Sequence, residues 1–389
     1  MTTLTPGSAF GASSPGGHRQ RTGKAGSAAS AGRASACALR LATRSLVVAL
    51  TVATASCAAA GEATTAALGE PALISPKALG AATLAVARAG ARLVAVGERG
   101  TVLLSDDHGA SWRQAAVPVR VTLTALRFVD DQLGWAVGHQ GVILHTRDGG
   151  ASWVKQLDGV RAAAFIAEAA ARGGSDDRAK RSAQRFVDDG PDKPFFDIEF
   201  ADAKRGWAVG AYNLAFATTD GGATWQPIVA QLPNPSARHL YAVRASGATQ
   251  VVIAGEQGLL LKSADGGASF AALASPYKGS FFGLLSARSG TLIAHGLRGH
   301  AFRSVDGGAR WDKVETGVAV SISTSTELSD GTLTLVGQTG ELLVSRDDGR
   351  SFSRAGAASQ PLPASGVAGS ADGRWVLATL RGTHRVAVP

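Results

Sequence analysis

Thiols are nearly absent: the 389 residues contain two cysteines, Cys37 and Cys57. Both lie in the first 60 residues, so the remainder has no disulfide framework, no cysteine zinc cluster and no thiol nucleophile. Long apolar runs are missing as well. The longest, over residues 46–55, is about ten residues and too short for a stable membrane span. Acidic residues are missing from residues 1–60, which hold six of the 39 Lys and Arg (Arg19, Arg21, Lys24, Arg33, Arg40 and Arg44). That leaves 33 basic against 30 acidic residues, a net +3, for the rest of the chain. The high isoelectric point therefore belongs mainly to the N-terminal stretch, and a nucleic-acid-binding protein is not indicated.

That stretch has the order of an export signal: basic residues ending at Arg44, the apolar run, then small residues 56–61. Residues 1–60 are expected to be a leader cleaved near Ala60, and residues 61–389 the exported protein, periplasmic or envelope-associated. A lipid anchor at Cys57 is the weaker alternative, because Thr54, Ala55 and Ser56 before it lack the leucine of a lipobox.

What is abundant is glycine, 49 residues, and a repeat. Ser or Thr is followed by Asp two residues on, Gly four on, and Trp or Phe seven on. The copies are Ser105/Asp107/Gly109/Trp112, Thr146/Asp148/Gly150/Trp153, Thr218/Asp220/Gly222/Trp225, Ser263/Asp265/Gly267/Phe270, Ser304/Asp306/Gly308/Trp311 and Ser345/Asp347/Gly349/Phe352. The intervals between the aspartates are 41, 72, 45, 41 and 41 residues. Before each copy stand two short apolar runs separated by a Gly-containing turn, as in WAVGHQGVILHT from Trp135, and read as buried strands. A seventh such hairpin, from Trp375 to Val386, has no Asp box after it. All seven tryptophans fall at two repeat positions, which indicates packing between sheets.

A period just over 40 residues with four strands per unit predicts a seven-bladed all-β propeller of four-stranded antiparallel blades. The last unit has room for three strands, and residues 71–79 are expected to supply its fourth. In each Asp box the carboxylate is expected to accept backbone N–H groups in a tight turn where Gly takes a positive φ. Asp107, Asp148, Asp220, Asp265, Asp306 and Asp347 are thus structural.

Catalytic signatures are wanting. Asp boxes also occur in sialidases and other glycoside hydrolases, so a sialidase-like hydrolase or a glycan-binding propeller is the alternative reading. A sialidase, however, needs an arginine triad and a Tyr–Glu pair, and the chain has only Tyr212, Tyr241 and Tyr277. No carboxylate pair stands out, since Glu98 and Glu256 are spaced as turn residues. The histidines lack metal-ligand spacing. No cofactor and no metal are expected, and the chain reads as a binding protein rather than an enzyme.

Propeller topology says where binding would occur. With strands counted from the centre outward, the turns joining second to third strands share a face with the connections between blades. The Asp boxes occupy the opposite face. Arg99, His139, Tyr212, Glu256, Arg298 and Arg381 fall in those turns, and Arg120, Arg238 and Lys278 in the connections. Arginines ringing this face would suit carboxylates or an acidic segment of a protein partner. The 72-residue interval holds an insertion over residues 157–194 on the same face, read as a short helix over 160–172 followed by a charged, mobile stretch over 173–194.

The segments FFDIEFADAKRGWAVGAY from Phe195 and FFGLLSARSGTLIAHGLRG from Phe281, with the six boxes, resemble the photosystem II stability/assembly factor family and its relatives in non-photosynthetic bacteria. The resemblance spans roughly residues 70–389. It implies a seven-bladed propeller without catalytic residues that binds a protein partner through an arginine-rich patch during assembly of a membrane complex. In the non-photosynthetic branch, which the insertion and the alanine-rich leader resemble, it implies an envelope complex, with a transporter as one such partner. A monomer is expected.

Overall fold

The computed structural model describes residues 65–172, 177–355 and 362–387. Residues 1–60, expected to be a leader and holding both cysteines, lie outside the described residues. Seven antiparallel sheets follow one another along the chain, each built in sequence order from the inside out. Among the described residues, six have four strands and the last has three. The chain is a seven-bladed β-propeller.

Burial explains the residue types. Each second strand is sandwiched between neighbouring blades on both faces, so Leu93–Gly97, Gly134–Gly138 and Gly206–Gly210 are buried throughout. Their tryptophans fill the gaps between blades. Trp135 stacks on Phe200 of the next blade with centroids 3.5 Å apart, and on His145 at 4.8 Å. Trp375 donates its indole N–H to Thr334 Oγ1 at 3.0 Å.

The Asp boxes form as their spacing predicts. In the second blade, Asp148 Oδ1 accepts from the Ser152 N–H at 2.9 Å and from the Thr146 hydroxyl at 2.8 Å. Thr146 Oγ1 in turn accepts from the Gly150 N–H at 2.9 Å, with Gly150 at φ +87°. Trp153 closes the turn by donating to the Gly150 carbonyl at 2.9 Å. Five of the boxes also use a hydroxyl six residues after the first Ser or Thr; the fifth box has Arg310 there instead.

Two expectations fail. Residues 71–79 do not form the outer strand of the last blade. Ser75 Oγ accepts from the Lys77 N–H and Pro76 opens a 3-10 helix, Pro76–Gly80. Prolines at 71 and 76 cannot donate to a ladder, and the Ala72 N–H donates to the Val117 carbonyl, tying this segment to the first blade. Side-chain bonds close the ring: Ser365 Oγ donates to the Thr83 carbonyl at 3.0 Å.

The insertion, too, is more ordered than expected. It holds α1 (Gly159–Arg172) and a second helix, α2 (Asp177–Asp188), where a mobile stretch was predicted. Asp158 Oδ1 accepts from the Arg161 N–H at 3.2 Å at the start of α1. Ala162, Ala163 and Ile166 of α1 bury with Ala183 and Phe186 of α2 against the second and third blades. The charges of α2 occupy its outer side: Lys180, Arg181 and Arg185 are all exposed.

Candidate functional site

The turns between second and third strands share one geometry. Arg99, Gln140, Tyr212, Gln257 and Arg298 all sit at the same turn position with φ between +52° and +56°. In this left-handed conformation Arg99, Tyr212, Gln257 and Arg298 are exposed, whereas Gln140 is half-buried. In three consecutive blades the N–H of that residue also reaches the next blade. Tyr212 donates to His239 Nδ1 at 3.0 Å, Gln257 to Ser280 Oγ at 3.3 Å and Arg298 to Ser321 Oγ at 3.4 Å.

The residues expected to bind divide into groups. Arg99, Lys278, Arg298 and Arg381 are exposed and have no ion-pair partner among the described residues. His139 is exposed in its turn as well. Arg120 is half-buried and paired with Glu70, so its charge is largely spent within the chain. Arg238 is half-buried, its main chain held on both sides by Asn234. Glu256 is structural: its Oε2 accepts from the His239 N–H at 3.2 Å, as Glu98 Oε1 does from the Ala82 N–H at 3.1 Å.

Within this face opens the central channel, a cavity of about 360 Å³ lined by the first strands of all seven blades. The second residue of each first strand guards its mouth: Leu84, Thr124, Phe196, Tyr241, Phe282, Ser323 and Ser365. Thr124 and Ser323 turn their hydroxyls away to the next blade, donating to the carbonyls of Phe195 and Ala364 at 2.7 and 2.8 Å. Ser365 does the same toward Thr83. On blades three to five the position is aromatic. Phe196 and Tyr241 rings lie 5.4 Å apart, and Tyr241 and Phe282 rings 5.6 Å apart. His239 and Tyr212 extend the row outward, with centroids 4.6 Å apart. The channel mouth is thus hydroxyl-lined on one side and aromatic on the other. Sequence reasoning found Tyr212 and missed Phe196, Tyr241 and Phe282; aligning the residues one place into each first strand would have exposed them.

Deeper in the channel, charges are internally matched. Arg244 lies 2.6 Å from Asp197 and 3.8 Å from Glu199, which also meets Arg127 at 3.0 Å. Burial pushes the Glu199 carboxyl up, with the two arginines opposing that shift. Asp197 accepts from the Val243 N–H at 3.0 Å. These ion pairs join blades two to four to one another. No group of three or more potential metal ligands occurs among the described residues. No helix there is long and apolar enough to cross a membrane.

Comparison with known proteins agrees with this architecture. The family described as photosynthesis system II assembly factor YCF48 matches residues 104–167 and 178–278, somewhat less than half of the chain. No curated protein matches the sequence. Among solved structures, YCF48 bound to a D1 peptide is similar with a TM-score of 0.57 at 16% identity, covering 82% of this chain and 96% of that one. YCF48 from Cyanidioschyzon merolae gives 0.56 at 13%, covering 79% and 95%. The WD40 propeller domain of Doa1 is as similar in shape, 0.57 at 11%, covering 82% and 95%. At such identities structural likeness speaks for the fold, and the family model speaks for the repeat sequence: the chain is an Asp-box β-propeller similar to the photosystem II assembly factor family.

Proposed function

We propose that this propeller is a non-catalytic module that binds a segment of a protein partner on the face carrying the second-to-third-strand turns. The observation that carries the reading is the set of exposed cations there, Arg99, Lys278, Arg298 and Arg381, which lack ion-pair partners among the described residues. Guanidinium forks match carboxylates and cost little to desolvate compared with an ammonium. A propeller of that family is known in complex with a D1 peptide, which supports a peptide-like ligand here. The leader motif supports export, and together with the family supports a role in assembling or stabilising a membrane or envelope complex, a transporter being one such assembly.

The test is affinity capture from crosslinked envelopes with the tagged protein, followed by mass spectrometry. Recovery of one membrane complex, lost when Arg99, Arg298 and Arg381 are all changed to Glu, is the expected result. Equal recovery by the charge-reversed protein would overturn the reading.

A further inference from the structure

The channel mouth suggests what kind of segment binds, an inference that rests on the reading above. We propose that the aromatic row formed by Tyr212, His239, Phe196, Tyr241 and Phe282 seats a large apolar or aromatic side chain of an acidic peptide segment, the neighbouring cations holding the flanking carboxylates. The row is continuous: successive centroids lie 4.6, 6.1, 5.4 and 5.6 Å apart. Four of its five members are half-buried, and the Tyr212–His239, Phe196–His239 and Tyr241–Phe282 contacts are edge-on. Such rings form the wall of a concavity. A sugar ring wants a broad exposed aromatic face, and only Tyr212, 55% exposed, offers one. A concave aromatic wall instead fits an inserted side chain, the usual anchor of a protein interface.

Charge complementarity supplies the rest. Lys278 lies four residues before Phe282 in the connection leading to the fifth blade, and is exposed. The turn bearing Arg298 is fixed beside the same connection, because the Leu297 N–H donates to the Ser280 carbonyl at 3.1 Å. Two exposed cations therefore flank the Phe282 end of the row. Acidic residues on either side of the anchor would meet them, whereas basic flanks would be repelled.

The opposite wall of the mouth provides mild variants. Ser323 and Ser365 occupy the position equivalent to Phe282, so Phe196→Ser and Phe282→Ser install a residue that this strand position already accepts. The experiment is selection of phage-displayed random dodecapeptides on the wild-type propeller, followed by affinity measurement with synthetic copies of the selected peptides. Enriched sequences should share a large apolar or aromatic residue bordered by Asp or Glu. Their affinity should fall about tenfold or more in Phe282→Ser, as for truncation of an anchor pocket, and also in a Lys278→Glu, Arg298→Glu double variant. Peptides that lose affinity on charge reversal yet bind both serine variants normally would overturn the aromatic anchor and leave the protein-binding reading intact. Enrichment of nothing above a carrier control would overturn both.

Discussion

Thr83 and Thr379, 296 residues apart, close the ring: the Thr379 N–H donates to Thr83 Oγ1 at 3.1 Å. The same hydroxyl lies 3.2 Å from the Thr379 carbonyl and 3.1 Å from that of Gly382 and donates to this pair. Thr83 is fully buried, so water cannot replace these bonds. Thr83→Val keeps the shape and strands a buried N–H, and should cost about 1–3 kcal/mol. Thr83→Ser should cost much less. Urea unfolding midpoints of the two variants provide the comparison, and equal midpoints would contradict the closure role.

Between the fifth and sixth blades a histidine occupies a valine position. His295 aligns with Val96, Val137, Val209 and Val336, and it reaches Ser325 Oγ at 2.9 Å and the Ile322 carbonyl at 3.3 Å. Gly283 makes the room, since a Cβ there would lie 2.4 Å from His295 Cε1. Gly283→Ala should therefore destabilise by about 1–3 kcal/mol as an overpacked site. The cost should shrink sharply in a His295→Val background, and a double-mutant cycle by chemical denaturation would measure the coupling.

Such exceptions mark where the sequence stops being legible. The blades, Asp boxes and tryptophan positions could be read directly, because each rests on local turn chemistry or on strands buried on both faces. The helix α2 was hidden by its charges; its Ala179, Ala183 and Phe186 are spaced for one apolar stripe among many ionised neighbours. For residues 71–79 the need of the ring for a fourth outer strand points one way and the two prolines, Pro71 and Pro76, point the other, and the prolines prevail. The channel mouth was illegible for another reason. Each lining residue comes from a different repeat, and only the closed ring makes neighbours of Phe196, Tyr241 and Phe282.

Burial of His295 also sets a pH dependence. Desolvation, with the Arg244 charge adding to it, lowers the imidazole from 6.5 to about 4 in the folded chain. The folded state thus keeps the ring neutral, while the unfolded chain takes up a proton as pH falls below about 6.5. The stabilisation is complete above that pH and is lost progressively as pH falls to about 4, by an amount on the order of 3 kcal/mol. The buried His145, also lowered to about 4 by desolvation and Arg147, adds in the same direction. Melting temperatures across this window should fall steeply for the wild type and less steeply for His295→Val. Parallel profiles would refute the assignment.

The left-handed turn position gives variants that separate binding from folding. Arg99 at φ +53° and Arg298 at φ +56° occupy a conformation that costs most side chains energy and that asparagine tolerates better. Arg99→Asn and Arg298→Asn should therefore leave the melting temperature unchanged or raise it slightly, since neither side chain has an ion-pair partner among the described residues. The same substitutions remove two cations from the proposed docking face. Partner capture or peptide affinity should fall, and the loss should diminish as salt is raised, because screening already weakens these exposed charges in the wild type. A variant that melts normally, yet binds as the wild type does at low salt, would show that these arginines do not contribute to recognition.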